Sequence, residues 1–305
     1  MESKYDVFAK LKEREKEPQS VAIIDRWVND ASRELGMDTS RVSWMLASTI
    51  VISALNRATN NDGSKLFLLK GGVLLQKVFS DTDRTTSDVD SLFRGTYEDF
   101  LKQVDEIFKE PIGTVTLERS DIEVIKAPKL IKPVRFYVRL KIKGKPWRKV
   151  KVEISFPEGK IAEHVNEIPA NSTKFFGLKT ASELATISMD YQVAQKIHGA
   201  STPHNPPAHI NDRVRDIVDL MLIKKTFYPA SSDLSGVRNA CVDIFAARKD
   251  EAEKLGMDSL DWPPVIKSND VWARLFPRYA ESVGLTKSLD ECIGELNEWI
   301  GEIDK

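Results

Sequence analysis

Between residues 134 and 156 apolar and polar positions alternate almost without a break. Val134, Phe136, Val138, Leu140 and Ile142 alternate with Arg135, Tyr137, Arg139, Lys141 and Lys143; after Gly144-Lys145-Pro146, Val150, Val152, Ile154 and Phe156 alternate with Lys149, Lys151, Glu153 and Ser155. A period of two is that of a half-buried strand, and two such runs joined by a turn predict a β-hairpin. Ahead of the hairpin the period is mostly helical. Residues 20–35 place Val21, Ile24, Trp27, Val28 and Ala31 on one face and stop at Gly36. A second helix, capped by Asp38 or Ser40, runs to about residue 58 with Val42, Leu46, Ile50 and Leu55 inward. Residues 1–17 are mixed in charge and predict a frayed helix.

Residues 60–63, Asn-Asn-Asp-Gly, form a turn. Residues 66–69 predict a short buried strand, Gly71-Gly72 open a helix over 73–79, residues 81–86 are a polar link, and residues 87–93 predict a second strand. Residues 97–109 carry Phe100, Val104 and Phe108 at helical spacing, closed by Pro111 and Gly113, and residues 115–125 predict another strand. After Pro157 the period is helical for most of the remainder, over 182–199, 212–227, 232–254, 268–283 and 287–302. Helices, then a small mixed sheet, then helices is an α+β arrangement. The expected division places N-terminal helices and the sheet in residues 1–160 and a helical domain in 161–305.

Composition narrows the class. The 305 residues are 41% hydrophobic and 30% charged, which suits a globular protein and argues against extensive disorder. No apolar run approaches the ~20 residues of a membrane span, and the charged N-terminus lacks a signal peptide's apolar segment. Two cysteines, Cys241 and Cys292, provide neither a disulfide framework nor a cysteine-based zinc site. A cytoplasmic protein with no membrane partner is expected. The net charge of −1 means that any nucleic-acid contact is local.

The candidate chemistry centres on residues 67–94, FLLKGGVLLQKVFSDTDRTTSDVDSLFR. Asp88 and Asp90 flank Val89, so on a strand both project to one side. Paired carboxylates can hold a divalent metal, and Glu153, acidic between two apolar neighbours on another strand, is the candidate third ligand. The alternatives are solvated strand-end acids for the pair, and simple pairing of Glu153 with Lys149 or Lys151 on its own face. Gly71-Gly72, between a strand and a helix, offer backbone amides to a phosphate, or merely a tight turn. The spacing is not that of a Walker A loop.

Taken together, strand, Gly-Gly, helix, a strand with D-x-D and a later acidic strand resemble the polymerase-β-like nucleotidyltransferases. Lys70-Gly71-Gly72 followed by Arg84-Thr85-Thr86-Ser87-Asp88-Val89-Asp90 resembles, more narrowly, the AbiEii/AbiGii toxin family, to which the mycobacterial MenT toxins are related. The resemblance continues at Ala194-Gln195-Lys196-Ile197-His198-Gly199-Ala200 and at Arg213-Val214-Arg215-Asp216-Ile217-Val218-Asp219-Leu220, so that it spans residues 66–222. It implies a nucleotidyltransferase releasing pyrophosphate. Asp88, Asp90 and Glu153 would bind Mg²⁺ (or Mn²⁺), and Asp90 or Glu153 would help deprotonate the attacking hydroxyl. Lys70, Gly71, Gly72, Arg84 and Thr86 would line the nucleotide, with the Gly-Gly amides and the Thr86 hydroxyl on phosphate oxygens. Arg84 could instead orient the D-x-D strand. Lys196 would neutralise the triphosphate, and Asp216 would support that lysine; a local ion pair of Asp216 with Arg213 or Arg215 is the alternative. The catalytic set is then Asp88, Asp90, Lys196 and Asp216.

One stretch speaks about partners. Residues 126–151 hold eleven Lys or Arg and no Asp or Glu. Arg135, Arg139, Lys141 and Lys143, with Tyr137 among them, could follow an RNA backbone; a lysine-rich edge that resists aggregation is the other reading. His204 and His209 are too few and too loosely placed for metal. The expected partners are an NTP, an RNA acceptor such as a tRNA 3′ end, and a cognate antitoxin, in a toxin–antitoxin or phage-defence role. Nucleotide transfer to a protein side chain, or a non-catalytic nucleotide-binding or partner-binding module, are the alternatives.

Overall fold

The computed structural model describes residues 6–79, 82, 84, 86–207 and 209–305. Thr85 of the D-x-D motif, parts of the polar link, residues 1–5 and one residue of the 201–211 loop lie outside the described residues. The chain divides into two compact units. The first comprises Met1–Ser80, Thr85–Pro157 and Val165–Thr186, taken over their described residues; the second comprises Glu158–His164, Ile187–Lys305 and the described residues of 81–84.

The first unit opens with helix α1 (Val21–Leu35), whose N-terminus is capped by Ser20 and whose C-cap is Gly36 in the left-handed region at φ 64°. Helix α2 (Thr39–Leu55) follows, with Asp38, of the two candidate caps, accepting the Ser40 and Arg41 amides. From Val42 to Leu55 all but Trp44 are buried, which is why a one-faced reading of this helix is too narrow. Strand β1 (Phe67–Lys70) leads directly into helix α3 (Gly71–Val78), and β2 (Asp88–Phe93) into helix α4 (Tyr97–Lys109), which starts in a Thr96/Asp99 capping box.

The expected strand over 115–125 is two, β3 (Val115–Arg119) and β4 (Glu123–Val124). The hairpin is β5 (Val134–Ile142) and β6 (Lys145–Ser155). Its turn is Lys143-Gly144, both at positive φ (47° and 79°), a pairing that matches the twist of the flanking strands. Lys143 is therefore a turn residue and does not lie on the strand face with Arg135 and Arg139. Pro146 sits opposite Lys141, beside a register shift that lets Trp147 be passed over between Pro146 and Arg148. Residues 6–17 contain turns and no helix, which corrects the frayed-helix expectation for that part.

The chain beyond residue 160 returns to the sheet. Strands β7 (Val165–Pro169) and β8 (Glu183–Ile187) stand where helical structure or loop is expected. The sheet order is β3-β5-β6-β2-β1-β8-β7, with β4 also on β5. β1 and β2 are antiparallel, while β2 pairs with β6, and β1 with β8, in parallel. Phe67, Phe93, Phe100, Phe136 and Phe156 interlock on the helix-covered side, mostly edge to face.

The second unit is helical: α5 (Met189–Ser201), α6 (Val214–Phe227), α7 (Ser235–Leu255), α8 (Asp270–Glu281) and α9 (Leu289–Ile303). Trp272 and Trp299 are fully buried among them, and the Trp272 indole donates to the Asn211 carbonyl at 2.8 Å. Its edges are tied by Glu158, whose carboxylate takes a fork from Arg248, and by Asp243, which accepts from Tyr191. The architecture is α+β, with a mixed sheet core preceded by helices and followed by a helical bundle.

Candidate active site

In the first unit the parallel pairing of β2 with β6 sets Asp88 opposite Lys151 and Asp90 opposite Glu153. Alternation does the rest: Val89, Val152 and Ile154 go into the core, and the carboxylates share the other face. Asp88, Asp90 and Glu153 each offer an oxygen, and the three lie within 4.8 Å of one another, a group able to hold a metal ion.

Each carboxylate has its own surroundings. Asp88 accepts from the Ser87 hydroxyl at 2.6 Å and the Lys151 ammonium at 2.8 Å. Burial works to raise its pKa, but Lys151 and Ser87 outweigh it, and the group stays below the ordinary carboxylate range. Asp90 is the reverse. Burial pushes it up to about 6, with Lys70 opposing and the charges of Asp88 and Glu153 adding to the rise. Glu153 is held through one oxygen by the Arg135 guanidinium, at 2.9 Å and 2.8 Å, and lies 3.4 Å from Lys151.

The expected phosphate-binding residues meet the same cluster. Lys70 is the antiparallel partner of Asp90, and the Gly72 amide donates to the Asp90 carboxylate. Gly71 has φ 63°, and a Cβ there would lie 2.9 Å from the Asp90 Cβ and closer still to its carboxylate oxygen. Thr86 donates its hydroxyl towards Asp88 at 3.5 Å, and its amide is held by Gln76. The strand-to-helix turn thus seats Asp90.

The second unit has a buried charge cluster of its own. Lys196, on α5, donates to Asp216 at 2.5 Å and Asp219 at 2.7 Å, both on α6. The spacing of three residues along α6 stacks the two carboxylates on one face. Arg84 forks onto Asp219, Nε to Oδ1 at 2.6 Å and Nη2 to Oδ2 at 2.9 Å. All four side chains are at most about a tenth exposed. Burial lowers the Lys196 pKa but Asp216 and Asp219 outweigh it, so the lysine stays charged. Asp219 is held well below the carboxylate range, because Lys196 and Arg84 overcome the opposing effect of burial. Asp216 contacts Lys196 through one oxygen, and its second oxygen faces Arg213 at 3.4 Å. Arg84, expected at the nucleotide, has its fork on Asp219.

Several of the hairpin's cations are matched within the sheet. Arg135 pairs with Glu153, Lys141 with Glu118 at 2.5 Å, and the Lys149 ammonium lies 3.7 Å above the Tyr137 ring. Arg139 is exposed. Two residues that matter to these clusters, Lys151 and Asp219, stand outside the expected site. Lys151 could be found from alternation alone, which puts it on the Glu153 face.

The family model described as nucleotidyl transferase AbiEii toxin, type IV TA system, matches residues 53–294. The chain belongs to this family. It is accordingly a nucleotidyltransferase toxin of a toxin–antitoxin system, with an NTP substrate and an antitoxin partner. No curated protein matches its sequence. Among solved structures, the nucleotidyltransferase toxin MenT4 of Mycobacterium tuberculosis H37Rv is similar with a TM-score of 0.46 and 14% identity, over 94% of this chain and 98% of that one. An antigenic nucleotidyltransferase-like protein from Paracoccidioides brasiliensis is similar with a TM-score of 0.37 and 14% identity, over 72% of this chain and 94% of its own. Among the described residues no helix is long and apolar enough to cross a membrane.

Proposed function

We propose that this AbiEii-family protein transfers a nucleoside monophosphate from an NTP to an RNA end, the 3′ end of a tRNA being the acceptor, in a toxin or phage-defence role held in check by its antitoxin. The observation that carries the reading is the meeting of Asp88, Asp90 and Glu153 on adjacent parallel strands within 4.8 Å. The donors are all carboxylate oxygens, a set that suits hard Mg²⁺, with Mn²⁺ as a substitute. Asp88, Asp90 and Glu153 would hold the ion, which when bound supplies charge neutralisation to the triphosphate and lowers the pKa of the attacking hydroxyl.

The acceptor hydroxyl oxygen forms a bond to the α-phosphorus, the bond from that phosphorus to the β-phosphate bridging oxygen breaks, and pyrophosphate leaves with the electron pair. Asp90 or Glu153 would help take the hydroxyl proton, a role that rests on the motif resemblance. Lys70 and the Gly72 amide orient Asp90. The role of Lys196, neutralising charge as pyrophosphate departs, rests on the motif resemblance; Asp216 and Asp219 keep that ammonium charged.

The test is incubation of the purified protein with α-labelled NTPs, Mg²⁺ and total tRNA, beside Asp88→Ala and Lys196→Ala. Label entering RNA with the unmodified protein alone supports the reading. Label entering protein would replace the acceptor, and NTP binding without transfer to either would overturn the proposal.

A further inference from the structure

The acidic triad is not met by solvent alone. Lys151 on β6 sends its ammonium to Asp88 on β2 at 2.8 Å, and the same nitrogen lies 3.4 Å from the Glu153 carboxylate. These are two of the three residues whose oxygens come together as a group able to hold a metal ion. The placement follows from register. Lys151 is the β-ladder partner of Asp88 and stands two residues before Glu153 on the same face of β6. Its side chain is about a quarter exposed, as are those of Asp88 and Glu153, so the contact lies at the surface of the triad where an ion would arrive. Arg135 differs, reaching Glu153 alone.

A monovalent ammonium within reach of two ligands competes with a divalent ion for the same lone pairs. Without any positive charge, three carboxylates this close repel one another, and that repulsion is what gives such a cluster its intrinsic affinity for free cations. Lys151 removes part of it in advance.

We propose that Lys151 is a built-in counter-ion of the metal site: it occupies the Asp88–Glu153 side of the triad in the nucleotide-free protein and is displaced when the divalent ion binds. The proposal rests on the triad being the metal site. Its consequence is selectivity for how the metal arrives. Free Mg²⁺ must displace the ammonium unaided and binds weakly, whereas an ion delivered with a nucleotide triphosphate brings phosphate oxygens that give the released ammonium a new partner. Lys151 thus ties metal loading to nucleotide binding.

The experiment titrates Mn²⁺ into the full-length, nucleotide-free protein and follows free Mn²⁺ by electron paramagnetic resonance. Lys151→Met keeps most of the stem and removes the charge; it should bind Mn²⁺ about tenfold more tightly than the unmodified protein, the equivalent of removing one charge-assisted hydrogen bond from the competing state. Lys151→Arg, which keeps the charge, should stay within about twofold of the unmodified protein on the same grounds. With ATP present the gap between Lys151→Met and the unmodified protein should shrink. Lys151→Gln, with melting curves for every variant, covers the case in which the methionine variant does not fold. Equal or weaker Mn²⁺ binding by the charge-free variants, with Asp90→Asn abolishing binding, would overturn the role of Lys151 and leave the metal site standing. Absence of Mn²⁺ binding in every variant, with and without ATP, would overturn the metal site and this proposal with it.

Discussion

Gly71 and Asp90 share one small volume: the space a side chain would need at position 71 is filled by the Asp90 carboxylate. The glycine is also at φ 63°, where a Cβ is strained. Gly71→Ala should therefore act twice. The backbone cost is about 1–2 kcal/mol, measurable by urea denaturation. The displaced Asp90 should lower nucleotidyl transfer by about a hundredfold, the scale expected for a misplacement near 1 Å. Retained activity with only the stability loss would mean that Asp90 can move aside without consequence.

Asp90 sets a pH dependence of stability in the metal-free protein. Its folded pKa, near 6, lies above its ordinary value of 3.8. The sign follows from linkage: the folded state prefers the protonated form, so this group's contribution is intact below about pH 4 and is lost as pH rises through 6. The difference of some two units corresponds to about 3 kcal/mol at pH 8. Asp90→Asn, which cannot ionise and can still accept from the Gly72 amide, should be more stable than the unmodified protein at pH 8 in EDTA. The advantage should vanish by pH 4. Parallel melting curves across that range, or a gap that widens in acid, would refute the assignment.

Much of this geometry is legible in the sequence. Strict alternation in 134–156 identifies the hairpin, and with it the face that carries Glu153. The Gly-Gly and D-x-D spacing identifies the strand-to-helix turn and the acidic strand. What alternation does not carry is the partner strand, since register between β2 and β6 is a non-local choice. The stretch 182–199 shows the limit more sharply. Leu184, Ala185, Thr186 and Ile187 are all buried, as in a strand covered on both faces, and a short continuous apolar run leading straight into α5 reads as one long helix. The break is marked only by Ser188, which caps α5. The ion pairs, too, are invisible locally: Arg84 and Asp219 are 135 residues apart in the chain.

That pair yields a stability prediction. Asp219 is the shared acceptor of Arg84 and Lys196, and all three are buried. Asp219→Ala leaves two buried cations with reduced compensation and should destabilise by about 3–5 kcal/mol, read from chemical denaturation. Because the Asp219 pKa is depressed when folded, its contribution is present above the ordinary carboxylate pKa and is lost only as pH falls through strongly acidic values. High salt should change the effect little, since the group is shielded from solvent ions. A loss below about 1 kcal/mol, the range of exposed pairs, would show that the cluster is solvated in solution.

The cations of the hairpin differ in how they are held within the sheet. Lys141 is matched by Glu118, and Arg135 by Glu153, so reversing either disturbs the sheet as well as any ligand. Arg139 is exposed, and its cross-strand neighbours are Glu118 on β3 and Lys149 on β6. Arg139→Glu is thus the cleaner probe. If the hairpin follows an RNA backbone, this variant should raise the KM for the RNA acceptor severalfold while leaving the KM for NTP unchanged. The salt dependence of acceptor binding should also become shallower, by about one unit of slope for each phosphate the protein no longer neutralises. Lys143→Gly is the companion variant. Lys143 holds φ 47° in the turn, and glycine there should stabilise the hairpin, by up to about 1 kcal/mol, while removing a charge. An acceptor KM unmoved by both substitutions would leave the basic hairpin as a solvated sheet edge and place the RNA elsewhere.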